Sequence, residues 1–211
     1  MLSVSSDVKK LTKRIDQKYK RQIPFVTSRA LNSSAFDARA DVQKTLPRYL
    51  DRPNPYTIKS VQVGKSSKKK LIAAVGFASK TFGKLPRNAG IPPGEYMKRL
   101  IKGGVRQKKT ARGIAVPVNA RVNKFGNLSR NYLTKQVEKP RSFVKDIKGT
   151  LGVWEQRGRG KNKSLRLLVS FKDRTTYPGG LFPIKTVVGN SFKRTFSKNF
   201  SKAFKDAIKP R

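Results

Sequence analysis

The chain contains no cysteine and no histidine, and only eleven of its 211 residues are Asp or Glu. Without cysteine there is no disulfide framework, thiolate nucleophile or zinc knuckle. Without histidine the side chain that most readily exchanges protons near neutral pH is missing, and with both absent almost every transition-metal site goes too. The acids are Asp7, Asp16, Asp37, Asp41, Asp51, Glu95, Glu138, Asp146, Glu155, Asp173 and Asp206, scattered singly. Asp37 and Asp41 are the one pair spaced to share a helix face, and they read as offsets to Arg39 and Lys44. General acid–base catalysis needs two poised groups, and metal-dependent nucleases need clustered carboxylates. The expectation is therefore a chain with no catalytic residue, no metal and no cofactor. Apolar runs are also short. None approaches the roughly 18 residues of a membrane span, and 1–21 lacks the long apolar segment of a secretion signal. No membrane contact is expected, and the chain is expected to act in the cytoplasm where it is made.

Positive charge is what the sequence has in excess. Fifty Lys and Arg give a formal net charge of +39. Such a balance repels itself in a compact domain unless a polyanion or an acidic surface offsets it. Nucleic acid is the obvious polyanion, because its phosphates reward each Lys or Arg with released counterions. Composition excludes a wholly disordered basic tail: 36% of the chain is apolar, with twelve Phe, six Tyr and one Trp, enough to bury a core.

Periodicity divides the chain into three regions of one α+β domain covering 1–211. Residues 1–50 read as amphipathic helices. Val4, Val8, Leu11, Ile15 and Tyr19 make one stripe, and Leu31, Ala35, Ala38, Val42, Leu46 and Tyr49 make another. Pro24 is expected to break or restart the helix, and Pro47 with "DRPNP" at 51–55 to stop it. Residues 56–186 read as a strand-rich basic region. It has a hairpin of 57–63 and 71–77 around a basic loop, Gly/Pro-rich loop at 78–94, and a short helix over 94–104. An edge strand at 113–118 follows, restricted by Pro117, then an ambiguous 119–149 with a helical turn or two at 128–137. A second hairpin of 150–156 and 164–171 and a turn at 177–180 close the region. Residues 187–209 are the clearest helix. The fold class expected is an antiparallel β-sheet core with N-terminal amphipathic helices and a C-terminal amphipathic helix.

Three cationic clusters carry the candidate site. Lys65, Lys68, Lys69 and Lys70 crowd one hairpin tip; Arg106, Lys108, Lys109 and Arg112 crowd a loop; Arg157, Arg159, Lys161 and Lys163 crowd a second tip. Each is a run of cations beside glycine with no acid inside it, a pattern suited to phosphate contact without base readout. On the closing helix, Val188, Phe192, Phe196, Phe200 and Ala203 fall on one face, opposite Arg194, Lys198, Lys202, Lys205 and Lys209. At helical spacing such a stripe is core or subunit interface rather than a base-stacking surface. Trp154, on a strand pattern beside Gly152, reads as core. "GKS" at 64–66 is not a phosphate-binding loop, because Lys59 stands where that motif needs glycine. The glycosylation pattern at Asn32 means nothing without secretion.

The order of elements resembles the minor tail protein Z family, the tail-completion or neck proteins of lambda-type tailed bacteriophages. The residues that carry the resemblance are the helix through "VTSRALNSSAFDARADVQKTL" (26–46), a basic middle of short strands, and "GVWEQRG" (152–158) followed by "YPGGLFPIKTVVGNSF" (177–192) and a Phe-spaced helix. Residues 159–176 run longer than the family's usual connection and read as a full second strand. The resemblance implies a structural virion protein, assembled in the host cytoplasm. It would sit at the head-proximal end of the tail or in the neck, as a homo-oligomeric ring. Its partners would be other tail or neck proteins and genomic double-stranded DNA, held without sequence preference in a basic lumen.

Two other readings compete. A ribosomal-type or other RNA-binding protein shares small size, high basicity and Gly-rich basic loops. It would place aromatics on a sheet face among Lys and Arg. A basic nuclease is disfavoured by the missing histidine and dispersed acids.

Overall fold

In a computed structural model the described residues are 5–85, 91–111 and 113–209, with the side chains of 5–18 and 21 left aside. Of the first expected stripe, Val4 lies outside the described residues, and Val8, Leu11 and Ile15 are described by backbone alone, on the first helix. Helices and antiparallel sheets are both present, with a helix at each end, so the fold is α+β. The chain was expected to form one domain. Its contacts gather instead into two compact units: 1–49, 55–97 and 182–211 form the first, and 50–54 with 98–181 the second.

The first unit is built on a single 45-residue helix, α1 (Ser5–Tyr49), which runs through both Pro24 and Pro47. The expected break at Pro24 does not occur, and Pro47 sits in the last turn without ending the helix early. A proline inside a helix costs about 3 kcal/mol. Val26, Ala30, Ala35, Ala38, Val42 and Leu46 are all buried, at no more than 1% exposure. The two Val and Leu46 alone contribute about 1.5–3 kcal/mol each. On the other side of Pro24, Tyr19 stacks on Phe204 with ring centroids 6.3 Å apart. Packing on both sides of the proline outweighs its local penalty.

Against α1 lies α5 (Ile184–Ile208), running antiparallel to it. Arg194 Nη2 pairs with Asp41 Oδ2 at 2.6 Å, Asn199 Nδ2 donates to Ser34 Oγ and Asp37 Oδ2, and Arg29 Nη2 meets Asp206 Oδ2 at 3.7 Å. As the α5 number rises, the α1 partner's number falls. The unit is completed by α2 (Pro55–Lys59), the pair β1 (Val61–Gly64) and β2 (Ala74–Phe77), and the start of α3 (Pro93–Lys102). The expected strand over 57–63 is thus a short helix followed by a shorter strand. Pro55 fits the first turn of a helix, where its missing N–H is no loss. Phe182 fills the middle, packing edge-on against Tyr49 and Phe77 at 5.6 and 6.1 Å.

In the second unit, a four-stranded antiparallel sheet has the order β4 (Ile114–Pro117), β7 (Ser164–Lys172), β6 (Thr150–Arg157), β5 (Ser142–Ile147). Pro117 is on the edge strand, as its missing N–H requires. A β-bulge interrupts β6–β7: Val153 pairs with Val169 and Trp154 with Leu167, leaving Leu168 over. The spare carbonyl of Leu168 accepts from the N–H groups of Val118 and Asn119. Val153, Leu168 and Val169 form the core of this unit, covered by Leu128, Leu133 and Tyr132, the last two on α4 (Tyr132–Val137). A further pair, β3 (Gly104–Gln107) with β8 (Arg174–Tyr177), was not legible in the sequence. Neither was β5.

Candidate nucleic-acid interface

Ser66 sets the geometry of the first cluster. It follows β1 in a loop of cations, yet it is buried. Its N–H donates to Asn32 Oδ1 at 2.7 Å, and Asn32 Nδ2 donates back to the Ser66 carbonyl at 3.2 Å. Ser28 Oγ donates to the same carbonyl at 3.2 Å, while Ser66 Oγ is 3.1 Å from the Ser28 carbonyl. Two polar side chains one turn apart on α1 therefore grip one loop residue, and every polar atom of that residue is engaged. The loop closes on itself beyond this point, with Ser67 and Lys70 exchanging backbone hydrogen bonds at 2.9 and 3.1 Å. With the backbone of Ser66, Ser67 and Lys70 engaged in the loop, the strand expected from Leu71 begins only at Ala74.

The seat arranges the cations over aromatic rings. Lys68 Nζ is 4.9 Å from the centroid of Phe25, and Arg29 Cζ lies 5.7 Å from the same ring. Lys65 Nζ is 5.6 Å from the centroid of Phe36. Both rings remain about 40% exposed. Each contact holds a solvated ammonium or guanidinium near one place at a modest gain of about 0.5–1 kcal/mol. The tip is therefore a loop anchored by its backbone, with two of its lysines beside aromatic rings. Lys69 and Lys70 are exposed beside it. Ser28, Arg29, Asn32, Phe25 and Phe36 belong to this site, and the sequence reading missed them. The available signal was a polar pair, Ser28 and Asn32, on a helix otherwise read for its apolar stripe.

In the second unit the other two clusters are not brought together. Lys108 N–H donates to the Asp173 carbonyl at 2.7 Å, immediately beyond the end of β7. The 157–163 tip, with its short 3-10 turn at Gly160–Asn162, leads into the start of β7. Nine residues of strand at ~3.3 Å each put the two clusters about 30 Å apart. Nor are they free of acid. Lys108 Nζ pairs with Asp173 Oδ1 at 2.7 Å, and Arg157 Nε with Glu155 Oε2 at 3.1 Å. Arg106, Lys109, Arg159, Lys161 and Lys163 are exposed, and among the described residues none of these five is in an ion pair. Arg112 lies outside the described residues.

The α5 stripe divides. Ala203 is buried, while Val188, Phe192, Phe196 and Phe200 are half-buried. Phe196, Phe200, Phe204 and Tyr19 form a continuous ring ladder with steps of 6.0, 6.3 and 6.3 Å. Trp154, expected in the core, is only half-buried. It pairs across strands with Phe143, beside Lys145, whose carbonyl accepts from the indole N–H at 3.0 Å. Sheet-face aromatics were the mark set for an RNA-binding surface, and the strand register supplies one such pair. Among the described residues no three His, Cys, Asp or Glu side chains gather to hold a metal ion, and no helix is long and apolar enough to cross a membrane.

No known family model, curated protein or solved structure matches this chain.

Proposed function

We propose that this chain is a non-enzymatic structural protein that holds double-stranded DNA by its phosphates, as a homo-oligomeric ring at the head-proximal end of a phage tail or in the neck. The observation that carries the DNA contact is the Ser66 seat, which anchors the loop that places the exposed Lys65 and Lys68 over Phe36 and Phe25. Cations fixed before binding lose less conformational freedom when phosphate arrives. Among the described residues neither Lys65 nor Lys68 is in an ion pair, so both are available to a polyanion. The place in the virion rests on the resemblance of 152–158 and 177–192 to tail-completion proteins.

Duplex binding measured against salt tests this reading. Each phosphate contact contributes ~0.9 to the slope of log affinity against log salt. Replacing Lys68, Lys69 and Lys70 with Ala should flatten the slope by up to about three contacts, alike for every DNA sequence. Salt-insensitive binding, or strong preference for one base sequence, would overturn it. A second reading, single-stranded RNA binding, is favoured by the half-exposed Phe143 and Trp154 pair beside Lys145. It requires that Trp154→Ala weaken a single-stranded RNA more than a duplex.

A further inference from the structure

We infer that the lysine stripe of α5 is a second phosphate-contacting surface for duplex nucleic acid, acting with the Ser66 seat on the other side of α1. The inference rests on the DNA-contact reading above. Lys198, Lys202 and Lys205, four and three residues apart, share one face of α5, and Lys209 caps its C-terminal end four residues on. At 1.5 Å per residue the row is about 16 Å long. All four are exposed. They line a shallow groove of about 390 Å³ with Ser201 and Asp206. Four lysines face this one acid, whose Oδ2 also meets Arg29 of α1 at 3.7 Å. Among the described residues none of the four lysines is in an ion pair.

Folding alone does not account for the row. Lysines in a last turn favour the negative end of the helix dipole, which suffices for Lys205 and Lys209. Lys198 and Lys202 lie further back, where that effect has faded and like charges four apart oppose the helix. Each such pair carries a small cost, a penalty that phosphates seated on the row would remove. Arg29 ties the row to the Ser66 seat: it reaches Asp206 on one side and lies over the Phe25 ring, shared with Lys68, on the other. Ser34, Asp37 and Asp41 face α5, whereas Ser28 and Asn32 hold the loop. The two cationic rows thus flank one stretch of α1 with Arg29 between them, where the duplex of the proposed function would present phosphates to both.

The full chain should be titrated with a random-sequence duplex across a salt series, as wild type, as K198Q/K202Q/K205Q/K209Q, and with all four changed to Arg. The Gln variant should lose up to about 3.6 from the salt slope, at ~0.9 per contact, and the Arg variant should keep it. Should the fourfold Gln variant fold poorly by circular dichroism, K198Q/K202Q alone should still lose up to about 1.8 from the slope. A Gln variant that keeps the wild-type slope, while the Lys68–Lys70 triple Ala variant loses its share, overturns the α5 surface and leaves the first reading intact. Loss in the α5 variant with none in the triple variant supports the α5 surface and removes the loop. Unchanged slopes in both overturn the two together, and an Arg variant as weak as the Gln variant overturns charge as the cause.

Discussion

The backbone N–H of Ser66 donates to Asn32 Oδ1 at 2.7 Å across 34 residues of sequence. With the return bond from Asn32 Nδ2 to the Ser66 carbonyl, the asparagine side chain pairs with a loop peptide much as another strand would. This contact turns a run of surface lysines into a positioned array.

Replacing Asn32 with Ala should leave the buried Ser66 N–H without its acceptor, at a cost of about 1–3 kcal/mol. Amide exchange over 65–70 should accelerate, and duplex affinity should fall although no cation is removed. Unchanged exchange at Ser66 in hydrogen–deuterium measurements would show that the loop is held by something else.

Leu46 and Phe196 should respond differently to truncation. Leu46 is fully buried, so Leu46→Ala should cost about 2–5 kcal/mol in denaturant unfolding. Phe196 is half-buried, so Phe196→Ala should cost roughly half of the usual 3–5 kcal/mol for a buried Phe. If the ladder also forms a subunit interface, the oligomer should weaken by more than the isolated chain does.

Gly152 should not tolerate a side chain. A Cβ there would sit 2.5 Å from both Leu167 Cδ1 and the Val169 carbonyl oxygen. Overpacking of this kind costs about 1–3 kcal/mol, and the clash is partly with backbone beside the β6–β7 bulge. Gly152→Ala should lower the thermal midpoint, whereas Gly149→Ala, with nothing within 4 Å but a φ of +73°, should act through backbone strain alone.

Burial holds the Tyr96 phenol above its ordinary pKa of 10.0, with the Thr57 hydroxyl at 2.7 Å pulling weakly the other way. A raised acid group favours the fold in its neutral form. That contribution is complete below the ordinary value and is lost as pH rises through the raised one. Tyr96→Phe should cost about 0.5–1.5 kcal/mol at neutral pH for the lost hydrogen bond, and its stability should decline less steeply in the alkaline range. Urea midpoints across that range would check both.

Much of the fold was legible because it obeys local rules. Strand-like runs on either side of a basic Gly-containing tip located β6 and β7, the missing N–H of Pro117 put β4 on an edge, and the 3.6-residue stripe found α5. Local rules also produced the errors. Pro24 reads as a break because its penalty is local, while the burial that overrides it is contributed by residues far along the chain. β3 and β8 carry few apolar residues and become strands only through partners 67 to 73 residues away, and β5, whose apolar residues do not alternate, is set by pairing with β6 3 to 13 residues on.

The sequence by itself determined the charge, the absence of thiol and imidazole chemistry, and the periods that make helices and hairpins, since each depends on residue type and near neighbours. Only the tertiary structure decided which cations are positioned. Lys108 is paired by Asp173, from 65 residues away. Lys65 and Lys68 are held over Phe36 and Phe25 because Asn32 grips Ser66. Phosphate contact depends on where charge is held and what it already touches, and those are properties of the packed chain rather than of its order.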